Sequence, residues 1–258
     1  MHRTTMPRYE EESTVPSLTT MTWREVRAAA DADGIALCPI GSQEQHAEAL
    51  PMGTDTMLAT ACVDRALDLL GAEDPQVVRT PALPFGHSPH HLFAAAVSLS
   101  APTLSAVLAD LLDSLAESGF RRILLVNGHG GNEEIMRLAV KRFALRAEVA
   151  VGACSYWSLG ESPQHPGHAG EFETSLLLAA HPELVRSPVP PRPPVEPPAL
   201  FDRPPYPGLT VERHGEWARV GGQTDDPSGA DPETGARLLT ERATALAEAI
   251  RAFHHATA

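Results

Sequence analysis

Cysteine is scarce in this chain, with only Cys38, Cys62 and Cys154 among 258 residues, far apart and outside any Cys-x-x-Cys spacing. An odd, dispersed set argues against a disulfide framework and a cysteine-rich zinc site, and it implies a reducing compartment. Basic residues are also few, 20 Lys and Arg against 33 Asp and Glu for a formal charge of −13, and they are scattered. A nucleic-acid surface needs them clustered, so no nucleic-acid partner is expected, and a small or peptidic substrate fits better. No apolar run approaches the roughly eighteen residues of a membrane span. The stretch Met1 to Pro16 is polar and acidic and has no apolar signal-peptide core, so the expectation is a cytoplasmic protein with no membrane contact. Internal repeats are absent.

What is present suits an enzyme. A 43% apolar composition with 5% aromatics supports an ordinary core, and the length suits one large α/β domain. Residues 1–18 lack a hydrophobic period and predict a mobile leader, and 19–258 read as a single domain. Helices are predicted over Met21 to Asp33, Thr54 to Leu70, Thr103 to Ser118, Glu133 to Leu145, Phe172 to Ala180 and Asp231 to His254. Strands are predicted over Gly34 to Ile40, Gln76 to Pro81, Arg122 to Asn127 and Glu148 to Tyr156. The alternation implies a three-layer α/β/α fold with a mostly parallel central sheet, in which ligands gather beyond the strands' carboxyl ends. Half of the residues from Pro188 to Pro207 are proline. That excludes helix and central strand and leaves an excursion that is a lid or an interface element.

Three segments carry candidate chemistry. Glu44-Gln45-His46, with Asp55 nine residues after the histidine, follows the first strand. Asn127-Gly-His-Gly-Gly-Asn132 follows the third, and His168-Ala-Gly-Glu-Phe-Glu-Thr-Ser175 opens a helix. Each places His or a carboxylate beside glycines that allow close approach of backbone and ligand, and imidazole with carboxylate suits divalent first-row metals. Two histidines and three carboxylates exceed the needs of one tetrahedral ion. Asn127 and Asn132 are suited to bracing the loop around His129, and Gly130 and Gly131 to offering backbone N–H donors.

In order and spacing the three segments resemble the creatininase family of metal-dependent amidohydrolases, from about Thr19 to about Arg251. The resemblance implies the creatininase-like fold and two divalent ions, zinc, manganese or iron. It places Glu44 and His129 on one ion, His46 and Glu173 on the other, and Asp55 between them. It implies hydrolysis of a C–N bond through a metal-bound hydroxide in a small-molecule or short-peptide amide, with His168 as the acid/base residue that protonates the leaving nitrogen. A homo-oligomer, hexameric as in the family, follows from it too. His91 best matches the family's nearby histidine and takes a supporting role, while His87 and His90 are unassigned. Glu171 serves either the ligands or the substrate. Tyr156-Trp157 lines the site or belongs to the core, and His254-His255 reads as solvated tail.

The chain departs from the family at several points. The frequent Glu-Gln-His-Gly-Pro-His-Leu-Pro is here Glu44-Gln-His-Ala-Glu-Ala-Leu-Pro51, so Ala47-Glu48 stands for glycine-proline and Ala49 for a second histidine. Phe93-Ala-Ala-Ala96 replaces a loop that often contains Pro-Gly-Thr. Gly131 stands where creatininase itself has a glutamate, which argues against creatinine. Cyclic-amide hydrolases, deformylases and a peptide-trimming peptidase remain as models, and the intact Asn-Gly-His-Gly-Gly-Asn favours the last two. A phosphate-binding pocket calls for Arg or Lys near a motif, and only Arg121, Arg122 and Arg137 are near in sequence, so a nucleotide is not favoured. The rival class is a catalytically inactive scaffold or binding protein of the same fold.

Overall fold

The computed structural model describes residues 16–161 and 165–258. The predicted leader falls on residues 1–15, outside the described ones, and on Pro16 to Leu18, which already pair with the sheet edge through Arg79. The elements run α1 Trp23–Asp31, β1 Ile35–Ile40, α2 Thr54–Asp68, β2 Val77–Arg79, α3 Ala101–Glu117, β3 Arg122–Asn127, α4 Glu133–Ala144, β4 Ala150–Ser155, α5 Glu171–Ala180, α6 Glu216–Arg219 and α7 Pro232–Thr257.

The helices begin where their chemistry dictates. Thr22 and Glu25 form a reciprocal capping box on α1, and Asp231 accepts from the N–H groups of Glu233 and Thr234, with Pro232 opening α7. The four strands are parallel in the order β2-β1-β3-β4. Alternation along them builds two cores. Ile35 and Leu37 of β1 and Leu124 and Val126 of β3 pack under α2, α5 and α7. Ala36, Cys38, Ile40, Ile123 and Leu125 pack on the opposite face against α1, α3 and α4. The result is the expected α/β/α sandwich.

Pro39 is tolerated in a central strand because of where its missing N–H falls. The β2 side of β1 is bonded at Leu37 and again by Leu83 to the Pro39 carbonyl and the Gly41 N–H, and β2 has ended at Arg79. No partner carbonyl is left waiting opposite the ring.

The site's position follows from topology. From β1 the chain crosses by α2 to one side of the sheet, and from β3 it crosses by α4 to the other, so the connections diverge between β1 and β3. Crevices at such switch points, beyond the strands' carboxyl ends, receive ligands. Ile40 is in register with Asn127, so the two loops leave at one level.

Candidate metal centre

Glu44 and His46 lie on the β1–α2 loop, Asp55 in the first turn of α2, His129 on the β3–α4 loop and Glu173 in the first turn of α5. All five are buried. The structure brings them together with His168, and two overlapping sets account for the five, Glu44, Asp55 and His129, and His46, Asp55 and Glu173; Glu44 also lies within ligand reach of His46 with His168, and of His90 with His91. Asp55 belongs to both of the first two sets. Its Oδ1 is 3.0 Å from His46 Nε2, and its Oδ2 is 3.2 Å from His129 Nδ1. Glu44 Oε1 is 3.2 Å from the same His129 nitrogen, and Glu173 Oε1 is 4.0 Å from His46 Nε2.

The orientation of the two imidazoles decides what this cluster can hold. His46 Nδ1 lies 3.1 Å from the Glu44 backbone carbonyl, and His129 Nε2 lies 3.1 Å from that of His87. A carbonyl only accepts, so each of these ring nitrogens carries the proton. In a neutral imidazole the other nitrogen then presents its lone pair, and in both rings that nitrogen faces carboxylate oxygens. Lone pair against anion is repulsive unless a cation stands between, either a proton on each ring or a metal ion. Among the described residues, both Glu44 carboxylate oxygens and Asp55 Oδ2 are buried without a hydrogen-bond partner. Unpaired buried carboxylate oxygens carry a heavy desolvation cost. A divalent cation satisfies them and the ring nitrogens at once, so the residues present fit the group.

The titration behaviour has the same origin. Burial alone would lower the His46 imidazole, but Asp55, Glu173 and Glu44 outweigh it and push it up to about 10. His129 is raised well above its usual value against the same burial, by Glu44 and Asp55. Burial works to raise Glu44, yet His129, His168 and His91 hold it well below the carboxylate range. Glu173 is pushed up to about 7, chiefly by burial. The same carboxylates that raise these imidazoles would attract a metal cation to the same place.

The surrounding residues are ordered by one amide that the sequence offered only as a spacer. Gln45 Oε1 accepts from the Ala47 N–H at 2.9 Å and Nε2 donates to the Gly222 carbonyl at 3.0 Å, which fixes the amide's orientation. The same Nε2 donates to His91 Nδ1 at 2.8 Å. His168 Nε2 lies 2.8 Å from the Gln45 backbone carbonyl and therefore donates to it, which leaves Nδ1 as the free nitrogen, 3.5 Å from Glu44 Oε1. His91 stacks on His168 at 4.3 Å, and the His46 ring lies 4.4 Å from it, tilted. Burial, then His46, lowers His168 to about 4.

Other expectations resolve by position. Asn127 accepts from the His129 N–H and donates to its carbonyl, and Asn132 ties Asn127 to Gly41, so both asparagines brace the loop. His87 contributes its carbonyl, with its own ring bonded to Leu99. His90 stacks 5.8 Å from His129. Glu171 is exposed and faces Gly229, away from Glu173, because two residues on a helix point to nearly opposite sides. Tyr156 and Trp157 belong to the core under α2, α5 and α7. Ser88, bonded to Ser42 and to His129 Nε2, and Trp217 of α6, 4.7 Å from His90, have no signal in the sequence because only tertiary packing brings them in.

The departures are also explained. Ala47 holds φ +53°, the left-handed conformation that the family's glycine adopts freely. Ala95 and Ala96 pair with the backbone of Gln45 and Glu44 and so support the first motif. A Cβ on Gly131 would overlap the His87 carbonyl and the His129 ring, so this loop is shaped around glycine there.

Residues 19–250 match the family described as creatininase, creatinine amidohydrolase. This chain belongs to the creatininase family. It is 31% identical to the creatinine amidohydrolase of Pseudomonas putida over 257 residues, covering 90% of this chain and 94% of that one. It is 41% identical to the mycofactocin precursor peptide peptidase of Mycobacterium ulcerans over 155 residues, 58% of this chain and 59% of the relative. A manganese form of creatininase superposes with a TM-score of 0.74 at 30% identity, covering 92% of this chain and 98% of the other. As a creatininase-family amidohydrolase the protein is a metal-dependent hydrolase of C–N bonds. No helix among the described residues is long and apolar enough to cross a membrane.

Proposed function

We propose that this creatininase-family hydrolase holds two divalent ions, zinc, manganese or iron. Glu44, Asp55 and His129 would hold one, and His46, Asp55 and Glu173 the other, with one Asp55 oxygen toward each. The observation that carries this is the pair of imidazoles whose distal nitrogens are bound to backbone carbonyls while their other nitrogens face the Asp55, Glu44 and Glu173 carboxylates, among which both Glu44 oxygens and Asp55 Oδ2 have no hydrogen-bond partner among the described residues. Divalent ions in such a donor set lower the pKa of water and polarise an amide carbonyl.

The chain's own residues then do the proton work. With Nε2–H held by the Gln45 carbonyl, His168 exchanges protons only at Nδ1, and its lowered pKa leaves that nitrogen free at neutral pH. It first takes a proton there from the attacking water as base and then delivers it to the leaving nitrogen as the C–N bond breaks. His91, stacked against it, restricts its rotation, and Trp217 stands edge-on to the ring.

The loop shaped around Gly131 has no room for creatininase's glutamate, so we assign a peptide or formamide rather than creatinine as the substrate class. We further assign the protein to the cytoplasm, residues 19–258 to one domain, and the assembly to a homo-oligomer, hexameric as in the family. Metal analysis after metal-replete expression, with a turnover screen of formamides, lactams and short peptides, tests the reading. We expect about two ions per chain, and Asp55→Ala to lose most of both with all turnover, since each ion loses a carboxylate and faces the other unshielded. Less than roughly half an equivalent of metal in the wild type would sink the metal reading. Full metal with no turnover on any substrate would favour the inactive scaffold.

A further inference from the structure

A cavity of about 410 Å³ opens beside the metal cluster and shares His46 with it as a wall. Its size is that of a small-molecule site. Most of its surface is aliphatic, from Leu50, Val195, Val220 and the prolines of the Pro-rich segment, so that segment is a wall of the cavity. Two polar groups on the lining are without a hydrogen-bond partner among the described residues, the fully buried Thr174 hydroxyl and the buried Nε of Arg192. A buried donor left without an acceptor is costly, so both point to a group that arrives with the substrate.

Arg192 is presented in an unusual way. It stands between Pro190-Pro191 and Pro193-Pro194, and this stiff extended backbone fixes its place before any ligand binds. Its guanidinium donates to the Thr224 carbonyl. Among the described residues it forms no ion pair within 4.0 Å, in a chain of charge −13 where carboxylates are plentiful. The nearby Asp226 instead accepts from the Arg192 backbone N–H and from Ser228. Arg219, also on the lining, shares Glu216 with Arg213, two cations on one carboxylate, and so leaves a surplus positive charge. The exposed Glu48 on the rim balances one charge and disfavours a dianion such as phosphate.

We propose that this cavity is the specificity subsite, and that it takes a compact apolar group ending in a carboxylate, bound by Arg192 and the Thr174 hydroxyl. The substrate is then an amide that carries a free carboxylate on an aliphatic residue close to the scissile bond, as an N-acyl amino acid or the C-terminal end of a short peptide does. The proposal rests on the amide-hydrolase reading for its chemistry, but its test reads binding and needs no turnover.

Calorimetric titration of the metal-loaded protein with N-acetyl-L-leucine, its neutral amide and isobutyl phosphate tests it. We expect the carboxylate to bind at least roughly tenfold more tightly than the amide, the scale of one charge-assisted hydrogen bond. Arg192→Gln should abolish that preference with metal content unchanged, Arg192→Lys should retain part of it, and Thr174→Val should weaken carboxylate binding. Equal binding of acid and amide by the wild type overturns the proposal. So does a preference that survives Arg192→Gln, which would assign the carboxylate to the ions. Tighter binding of the phosphate overturns the carboxylate class. If Arg192→Gln does not fold, Thr174→Val and the wild-type comparison decide. A protein that lacks metal yet keeps an Arg192-dependent preference would retire the hydrolase reading and support this one. Placing the carboxylate on a peptide end or on a side chain then follows from comparing leucyl-terminated peptides with their C-terminal amides.

Discussion

At the scale of single residues, the site is organised by which nitrogen of each imidazole is bound to a carbonyl. His46 and His129 are bound on their far sides and so turn their other nitrogens to Asp55 and Glu44, while His168 is bound at Nε2 by Gln45 and turns Nδ1 inward. His168 lies near enough to Glu44 and His46 to be a third ligand of that set. If it transfers protons instead, His168→Ala keeps its metal while kcat falls by roughly 10²–10⁴-fold, the usual worth of a general acid or base. Loss of metal in that variant would make His168 a ligand, and unchanged turnover would remove it from the mechanism. Ala47 offers a separate test, since an alanine at φ +53° sits in a region that costs roughly 1 kcal/mol for a side chain with Cβ. Ala47→Gly should raise Tm by up to roughly 2–4 °C in a chain of this size. A lower Tm in a thermal melt would mean that the loop gains more from the methyl group than it loses in strain.

At the scale of elements, the site depends on how closely two helix starts approach the strand ends. Asp55 and Glu173 lie in the first turns of α2 and α5, where the helix dipole favours an anion, and Glu173 also accepts from the Ala169 N–H at 2.6 Å. Gly128, directly after β3, lets α2 come near: a Cβ there would overlap the Asp55 carbonyl and touch Ala59. Gly128→Ala should therefore destabilise the protein by about 1–3 kcal/mol, the range for overpacking, and weaken metal binding as α2 moves off. Normal metal affinity by chelator competition would show that Asp55 does not depend on this contact. Element types were readable from periodicity: β3 falls on Arg122–Asn127 as its apolar run predicts, and α2 starts at Thr54 as predicted. The four-residue α6 was not readable, because one helical turn has no period, yet it delivers Trp217 and Arg219 to the site.

At the scale of the whole molecule, the buried cluster couples stability to pH, and the sign depends on whether metal is bound. In metal-free protein, His46 is raised to about 10 from an unfolded value near 6.5, so the stability it contributes is complete below about 6.5 and is lost as pH rises toward 10. Glu173, raised to about 7, acts in the same direction over its own lower range. His90 and His168, lowered to about 4, oppose them, since the stability they contribute above about 6.5 is lost as pH falls toward 4. Stripped protein should thus be most stable near pH 6.5. Metal competes with protons for the same nitrogens, so the gap in Tm between loaded and stripped protein should widen from pH 6 to 9. Melts of both forms across that range check this, and a constant gap would mean that binding releases no protons from the cluster.

The sequence alone determined what local order can encode. The alternation of strand and helix, the three motifs after strand ends, and the hard-donor chemistry of Glu44, His46, Asp55, His129 and Glu173 are all properties of neighbouring residues, set by periodicity, turn chemistry and ligand type. Tertiary structure decided what depends on distant segments meeting. It turned Glu171 away from the cluster, made Gln45 the anchor of His91 and His168, and put Arg192 and Thr174 on a cavity beside His46. Arg192 is 146 residues from His46 in the chain. No local pattern reports such a separation, because the burial and hydrogen bonding that place these groups come from the packing of the Pro-rich segment, α5 and the β1–α2 loop against one another.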